Sequence, residues 1–474
     1  MIPLVVVGHC RETPNDLWSA RLLVITQGAT EVRCRYSVGG TASSVTSAPE
    51  AADPYERTLL TLDGLPGGSM VDYIVEAGAH TYSDQFRVPA KDGRAPRLAL
   101  VSCNGWFSLP ESERWVMWRR LRERVEDGHV DLIVHAGDQI YADKLRVDAA
   151  YEATFDSAPL TEASLTRRYR QLYVSTWSRP ETRKVLGSCP SVMTWDDHDI
   201  YDGWGSHDVP EERAPLEKMW FAAAARAYQE FQLSHGPDGT DGFRGFVIGK
   251  IAIGLLDTRT HRDWSSGTIL GRPQLQALTS WLESLCSDVR VFIVAPVPVV
   301  HANVAAALAL LEHAPGTPET LDDLRDSWVA TNNRGELQTL LLRLFKAGQK
   351  RQVTLLSGDV HVATLGEVRS TLQAHASAPR IHQIVASGIG HPPPTGVAGW
   401  LMKLAVRGSI ELVGEDFVGR LRELDGRGTR VLDTRNFAII DPNDSRGELD
   451  PDRNLTVTFE CERQPSRRTY RLLG

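Results

Sequence analysis

Four short apolar runs in this chain end on residues that bind cations, and no other feature constrains the fold as tightly. The ends are Ser102-Cys103-Asn104, Gly137-Asp138-Gln139-Ile140-Tyr141, Trp195-Asp196-Asp197-His198-Asp199 and Gly358-Asp359-Val360-His361. Each follows a stretch that reads as a buried β-strand. In layered α/β domains, ligands bind outside the carboxyl ends of strands. Four such ends, far apart along the chain, can therefore meet at one metal pair.

The surrounding texture supports that architecture. From Arg97 onward, β-rich runs (Leu98 to Ser102, Leu132 to Ala136, Ser191 to Thr194, Ile251 to Leu256, Val291 to Ala295, Val353 to Leu356, Ile381 to Ala386) alternate with stretches of helical spacing. The helical stretches are Glu111 to Glu126, Leu216 to Leu233, Pro273 to Leu285 and Gly335 to Phe345. Strand-helix alternation predicts an α/β domain over residues 96–474. Residues 1–95 differ: Ala20 to Gln27, Thr30 to Val38, Arg57 to Leu62, Asp72 to Ala77 and Gln85 to Pro89 read as strands between Gly-rich turns, which predicts a small N-terminal all-β sandwich. The polar stretch Lys91 to Pro96 reads as a linker. Segments 147–180, 299–331 and 391–432 carry no pattern that fixes their shape.

With 474 residues the chain is long enough for one large and one small domain. A net charge of −8 gives no electrostatic footprint for a stable nucleic-acid complex. The six cysteines are dispersed without paired spacing, which predicts reduced thiols. No leader-like stretch opens the sequence, and the apolar run from Pro296 to Leu311 is too short for a bilayer span, so the expectation is a cytoplasmic protein without a transmembrane segment. Neither a Gly-x-Ser-x-Gly elbow nor a glycine-rich phosphate loop is present.

The chemistry of the four ends is that of cation binding. Gly137 allows a sharp turn before Asp138, whose two oxygens can bridge two cations. Tyr141 lies one turn further on, and a phenolate suits a hard trivalent ion. Asp359 and His361, two apart on an extended segment, would face the same side. Asp196, Asp197 and Asp199 crowd one another, a cost that a cation relieves; alternation predicts that only some of them face inward. Cys103 offers a thiolate, with Asn104 as an alternative. Asp257-Thr258-Arg259-Thr260-His261-Arg262 ends another strand: Arg259 or Arg262 suits phosphate oxygens, or Asp257 and Arg259 form an ion pair that fixes the loop. Arg325 and Arg334 are weaker candidates for the same role. His207, His301 and His391 read as ordinary surface or core histidines.

Ser102-Cys103, Gly137 to Asp143, Trp195 to Asp199 and Ser357 to His361 together resemble the alkaline phosphatase D-like members of the calcineurin-like metallophosphoesterase superfamily. The motifs stand in family order, and the resemblance runs from about Arg97 to the C-terminus. It implies a four-layer α/β/β/α catalytic sandwich behind an N-terminal β-sandwich of fibronectin III or immunoglobulin type. It implies that Cys103, Asp138, Tyr141 and His361 hold Fe³⁺, and that Asp138 and Asp359 also bind a second metal, Ca²⁺, with Mn²⁺, Mg²⁺ or Zn²⁺ as alternatives. The family's asparagine ligand to that second metal is missing; Asp197 and Asp202 are the candidates in its place. The implied activity is metal-dependent hydrolysis of a phosphoester, either a small molecule or a phospholipid; in it His198 would protonate the leaving group or orient a ligand, and Arg259 is a candidate for the phosphate. Two competing readings are an iron-dependent redox protein using Cys103, Tyr141 and His361, and a non-catalytic binding module stabilised by metal.

Overall fold

The computed structural model describes residues 2–89, 94–143, 145, 160–300, 325–375, 380–394, 409–413 and 416–473. The fold is α/β. Eight strands between Leu4 and Arg87 form two antiparallel four-stranded sheets, one in the spatial order Leu4–Glu12, Leu17–Thr26, Tyr55–Pro66, Glu50–Ala52 and the other Thr41–Ser47, Val32–Val38, Met70–Ala77, His80–Arg87. Val32–Val38 and Met70–Ala77 alternate buried and solvent-facing residues along part of their length, the period-two pattern of a half-buried sheet.

Two larger sheets carry the rest. Six strands run in the order Ser191–Thr194, Leu132–Ala136, Leu98–Val101, Asn436–Asp441, Leu455–Cys461, Arg467–Leu472. The first three are parallel and fully buried, as continuous apolar runs require. Eight more run in the order Arg244–Ile248, Ile251–Leu255, Arg290–Val294, Val353–Ser357, Ile381–Val385, Thr364–Ser370, Phe417–Leu421, Ser409–Val413. Side-chain alternation then decides the packing. Leu98, Leu100, Leu132 and Val134 of the six-stranded sheet share a core with Ile253, Leu255, Phe292 and Val294 of the eight-stranded one. The alternate residues Ala252, Val291, Ile293 and Leu355 pack instead against Leu275, Leu278 and Leu282 of the helix Gly271–Ser284 and Leu337, Leu341 and Leu344 of the helix Arg334–Gly348. On the far side of the six-stranded sheet, Ala99, Val101 and Ile133 meet Met117, Trp118 and Leu121 of the helix Val116–Glu126.

The strands and helices named above after Arg97 are present among the described residues, Leu132–Ala136 and Ser191–Thr194 with the expected ends and the others with ends shifted. The helix expected from Glu111 starts at Val116, after a turn over 111–115. The stretch expected to end at Leu233 is an α-helix over Ala214–Tyr228 whose last turn widens into a π-helix over Gln229–Leu233. Within 147–180, residues 160–180 hold the helix Glu162–Trp177, capped by Thr161 and Ser164, and the start of the helix Pro180–Ser188. Its apolar face was hidden in sequence by interspersed arginines; in the fold Tyr169, Tyr173 and Trp177 bury against Trp220 and Phe231. Residues 146–159, 301–324 and 395–408, with His301 among them, lie outside the described residues. No described helix is long and apolar enough to cross a membrane.

The strands of residues 4–87 dock on the remainder through polar contacts as well as apolar ones. Tyr73 Oη donates to Gly187 O at 2.6 Å, and Lys184 Nζ to Asp84 at 2.6 Å. At another point His9 N–H donates to His235 O at 2.8 Å, and Arg21 donates to Gly236 O and Asp238. Both histidines are buried. Burial, helped by Arg21, pushes His9 down to about 4; burial, then His135 and Arg21, pushes His235 down to about 3. Both are thus neutral in the fold, while an unfolded chain protonates them near pH 6.5. Between pH 6.5 and about 4 the unfolded state binds more protons, so stability falls as pH falls. Denaturant unfolding across that window is expected to lose up to about 1.4 kcal/mol per pH unit for each histidine, and His235→Phe to reduce the slope.

Candidate metal centre

The strand ends converge. Ligand atoms of Cys103, Asp138 and His361 lie within 4.8 Å of one another; so do those of Asp138, Asp197 and His198, and those of Asp196, Asp197 and Asp359. Asp138 belongs to two of these groups and Asp197 to two, so the groups form one chain of ligands. Tyr141 Oη lies 3.0 Å from His361 Nε2. Asp202 belongs to none of them. Its carboxylate is 41% exposed, 3.9 Å from His198 Nε2, and its backbone N–H donates to Asp143.

Backbone geometry makes the convergence possible. Cys103, Asp138, Asp359 and His361 all have positive φ, from 54° to 65°. This left-handed region is unfavourable for residues with a Cβ, and such strain collects at functional sites. Gly137, at φ 91°, precedes Asp138, and a Cβ there would lie 2.6 Å from Asp196 Cβ. For Asp359 and His361 the expected extended segment is not what forms. Both are in a turn, and repeated left-handed backbone, rather than strand alternation, brings their side chains to the cluster.

The cluster is arranged for cations. Asp138 Oδ1, Asp196 Oδ2 and Asp197 Oδ1 are buried without a hydrogen-bond partner. A buried carboxylate oxygen left so is costly; a metal ion supplies what is missing, and the mixed sulfur, nitrogen, phenol and carboxylate donors suit a hard ion beside a second oxygen-preferring one. The residues present therefore fit a metal pair. Burial, then Cys103 and Asp197, drives the Asp138 carboxyl well above its usual range, and burial with Asp196 does the same to Asp359. Burial, with His391 and His198 nearby, drives His361 well below 6.5, which leaves the neutral imidazole that ligates metals. Cys103 Sγ accepts from Ser387 Oγ at 3.1 Å, while Ser387 Oγ accepts from His361 N–H at 2.8 Å.

Beside the cluster, His198 Nδ1 lies 2.9 Å from Asp143 Oδ2 and its ring stacks on Tyr141 with centroids 4.2 Å apart. Burial opposes a charge on His198, but Asp143, Asp197 and Asp202 outweigh it and push the imidazole well up. A protonated imidazole held by a carboxylate is a proton donor. Asp199 belongs to none of the three groups: it accepts from the backbone N–H groups of Asp196, Gln139 and Ile140 and from Tyr173 and Gln232. Asn104 is likewise engaged, accepting from Trp118 Nε1 at 2.8 Å.

Arg259 is fully buried. Its Nε donates to Asp196, Nη1 to Trp204 O and Asp326, and Nη2 to Asp326, with Asp197 Oδ1 at 3.5 Å from Nη2. Four of the five N–H groups of the guanidinium are hydrogen-bonded within the chain, and Nη2 also forms an ion pair with Asp197. The expected Asp257–Arg259 ion pair is absent; Asp257 instead accepts from the backbone N–H groups of Arg259 and Thr260 and from Trp195 Nε1. Arg262 Nη2 also reaches Asp326, at 3.1 Å from its carboxylate. Arg325 packs over the Trp264 ring and Arg334 donates to Val329 O.

Three participants escaped the sequence reading. Asp326 sits in a segment without pattern, yet joins the Arg259 network. Ser387 follows a strand with nothing to mark it. His391, taken for an ordinary histidine, stacks on His361 at 3.7 Å between ring centroids; the Gly-rich turn before it was the available signal. Removing Arg259 leaves Asp196 as an uncompensated buried charge and Asp326 with Arg262 alone, so Arg259→Ala is expected to lower unfolding free energy in denaturant titrations by about 3–5 kcal/mol.

Comparison with known proteins gives the geometry a context. The family model for PhoD-like phosphatase matches residues 98–434. Alkaline phosphatase D of Bacillus subtilis (strain 168) is 26% identical over 303 residues, which cover 58% of this chain and 48% of that enzyme. The uncharacterized protein YGR266W of Saccharomyces cerevisiae is 25% identical over 484 residues, covering 79% of this chain and 68% of that one. The chain thus spans about half the length of the bacterial relative. A solved structure of PhoD shares the fold with a TM-score of 0.62 at 16% identity, over 98% of this chain and 91% of the other. The chain belongs to the PhoD-like phosphatase family.

Proposed function

We propose that this protein is a phosphoester hydrolase with a dinuclear metal site. The carrying observation is the set of three buried carboxylate oxygens that accept no hydrogen bond, on Asp138, Asp196 and Asp197, in a chain of candidate ligands that also includes Cys103, Asp359 and His361. Cys103, Asp138, Tyr141 and His361 would hold one ion, with Fe³⁺ favoured by thiolate and phenolate donors. Asp138, Asp197 and Asp359 would hold the second, for which an oxygen-only set favours Ca²⁺ or another hard divalent ion. Asp197 is preferred to Asp202 because it is buried within the ligand groups. When bound, such a pair lowers the pKa of coordinated water and neutralises phosphate oxygens.

The chain's own residues supply the rest. His198, charged and held by Asp143, donates its proton to the departing ester oxygen. Arg259 holds Asp196 and Asp326 in place and so positions the carboxylate side of the cluster, a role its committed donors favour over direct contact with phosphate. His391 packs flat on His361 and restrains the ring. In this reading the two large sheets are the middle layers of an α/β/β/α sandwich, supported by the shared core between them and helices beyond each. Residues 1–95 form a separate β-sandwich, supported by strands that pair only with one another among the described residues.

Dialysis against chelator is expected to abolish hydrolysis of aryl phosphate mono- and diesters, and metal add-back to restore it; full activity after complete metal removal would refute the proposal. Elemental analysis of purified protein should find iron with calcium, and Asp138→Asn should lose both metals and turnover. His198→Gln is expected to lower kcat by about 10²–10⁴-fold, with the deficit smaller for esters of acidic alcohols, which need no proton to depart.

A further inference from the structure

The loop that follows Cys103 carries more than its ligand. Gly105 lies so close to the cluster that a Cβ there would sit 2.7 Å from His391 Cδ2 and 3.1 Å from the Tyr141 ring. Trp106 packs against Trp115 with centroids 5.2 Å apart, and the guanidinium groups of Arg114 and Arg179 lie over it at 5.1 Å and 4.9 Å. Arg114 Nε also donates to Leu109 O at 2.7 Å, which ties the loop's far end. Between these anchors Phe107 turns outward. The residue is 47% exposed and its ring stands edge to face with Tyr141, centroids 5.7 Å apart and planes at 70°. Single exposed apolar residues are common and need no explanation. This one is held on a loop anchored at Trp106 and Leu109, against the ring whose hydroxyl lies 3.0 Å from His361 Nε2.

We propose that Phe107 is a specificity residue: a shelf for a flat, apolar ring carried on the ester group of the substrate, so that aryl or nucleoside phosphoesters are preferred over small polar ones. This rests on the phosphoesterase reading and names its substrate class. A planar ring suits the shelf better than an acyl chain. Phe107 stands between the rings of Trp106, at 6.3 Å, and Tyr141, and an incoming ring gains aromatic contact there without the entropy loss of ordering a flexible chain. The hydroxyl end of Tyr141 marks where the phosphate sits, and its ring spans the step from phosphate to shelf.

The test compares wild type, Phe107→Ala and Phe107→Tyr, all metal-loaded, on an aryl phosphodiester, a dinucleoside phosphate and a glycerophosphodiester. Comparing variants within each substrate cancels the differing reactivity of the leaving groups. Phe107→Ala is expected to raise KM about tenfold for the two ring-bearing substrates, with kcat and the glycerol ester changed less than about twofold, and Phe107→Tyr to retain wild-type values. An aryl response without a nucleoside response would narrow the ring to simple aryl esters and keep the shelf. Equal losses on all three substrates, or none on any, would overturn it. Calorimetric binding of phenylphosphonate and methylphosphonate reads the shelf without turnover. A Phe107-dependent preference for the phenyl compound in a protein that hydrolyses nothing would uphold the shelf and sink the hydrolase reading.

Discussion

Carboxylates that repel one another are held together in a place where water cannot screen them, and much of the structure follows from how that repulsion is managed. Asp138, Asp196, Asp197 and Asp359 meet at the ends of strands from two different sheets. Burial and mutual repulsion raise Asp138 and Asp359 well above the ordinary carboxylate range and Asp196 to about 6. One compensation is built into the chain: the buried guanidinium of Arg259, bridging Asp196 and Asp326. Despite its burial, the charges of Arg259 and Arg262 hold Asp326 down to about 2, so this part of the network is ionic without any cation from outside. The other part, around Asp138 and the oxygens of Asp196 and Asp197 that accept no hydrogen bond, is what metal ions would complete in the proposed reading.

The backbone contributes equally. Four candidate ligands adopt left-handed conformations, uncommon outside glycine although aspartate and histidine accept them more readily than most residues. Each follows a strand that is buried over its whole length. Those strands supply the cohesion that tolerates local strain, and the strain in turn aims the side chains at one another. Around this centre runs a second tier: Ser387 bonded to both Cys103 and His361, Asp143 behind His198, and His391 flat against His361. Such outer contacts fix the orientation of groups that must meet a metal or a substrate in one geometry only.

That Cys103, Asp138, Asp197, Asp359 and His361 would come together was legible because residue types able to bind metal are chemically distinctive and stand next to strands, whose apolar runs are equally distinctive. The strands of the parallel core and four of the helices were legible for the same reason. Less could be read where polar residues interrupt a pattern, as in Glu162–Trp177, whose arginines mask an aromatic face. Asp326, Ser387 and His391 carry no mark of their own, since their roles come from what they touch. The partners of Arg259 were not legible on the same ground, because a guanidinium near an acidic loop looks alike whether its donors are free or taken.

Local chemistry along the chain thus determined which elements form and which residue types end them. Period-two and helical patterning, glycine before Asp138 and the run of acids after Trp195 were sufficient for that. Tertiary structure alone decided partners: that Arg259 turns to Asp196 and Asp326, that Asp197 faces inward and Asp199 toward backbone amides, and that Asp202 stays at the surface. Those outcomes depend on contacts between segments tens to hundreds of residues apart. No short-range preference encodes them; they emerge when buried charges, packed into a fixed volume, must each find a counterpart.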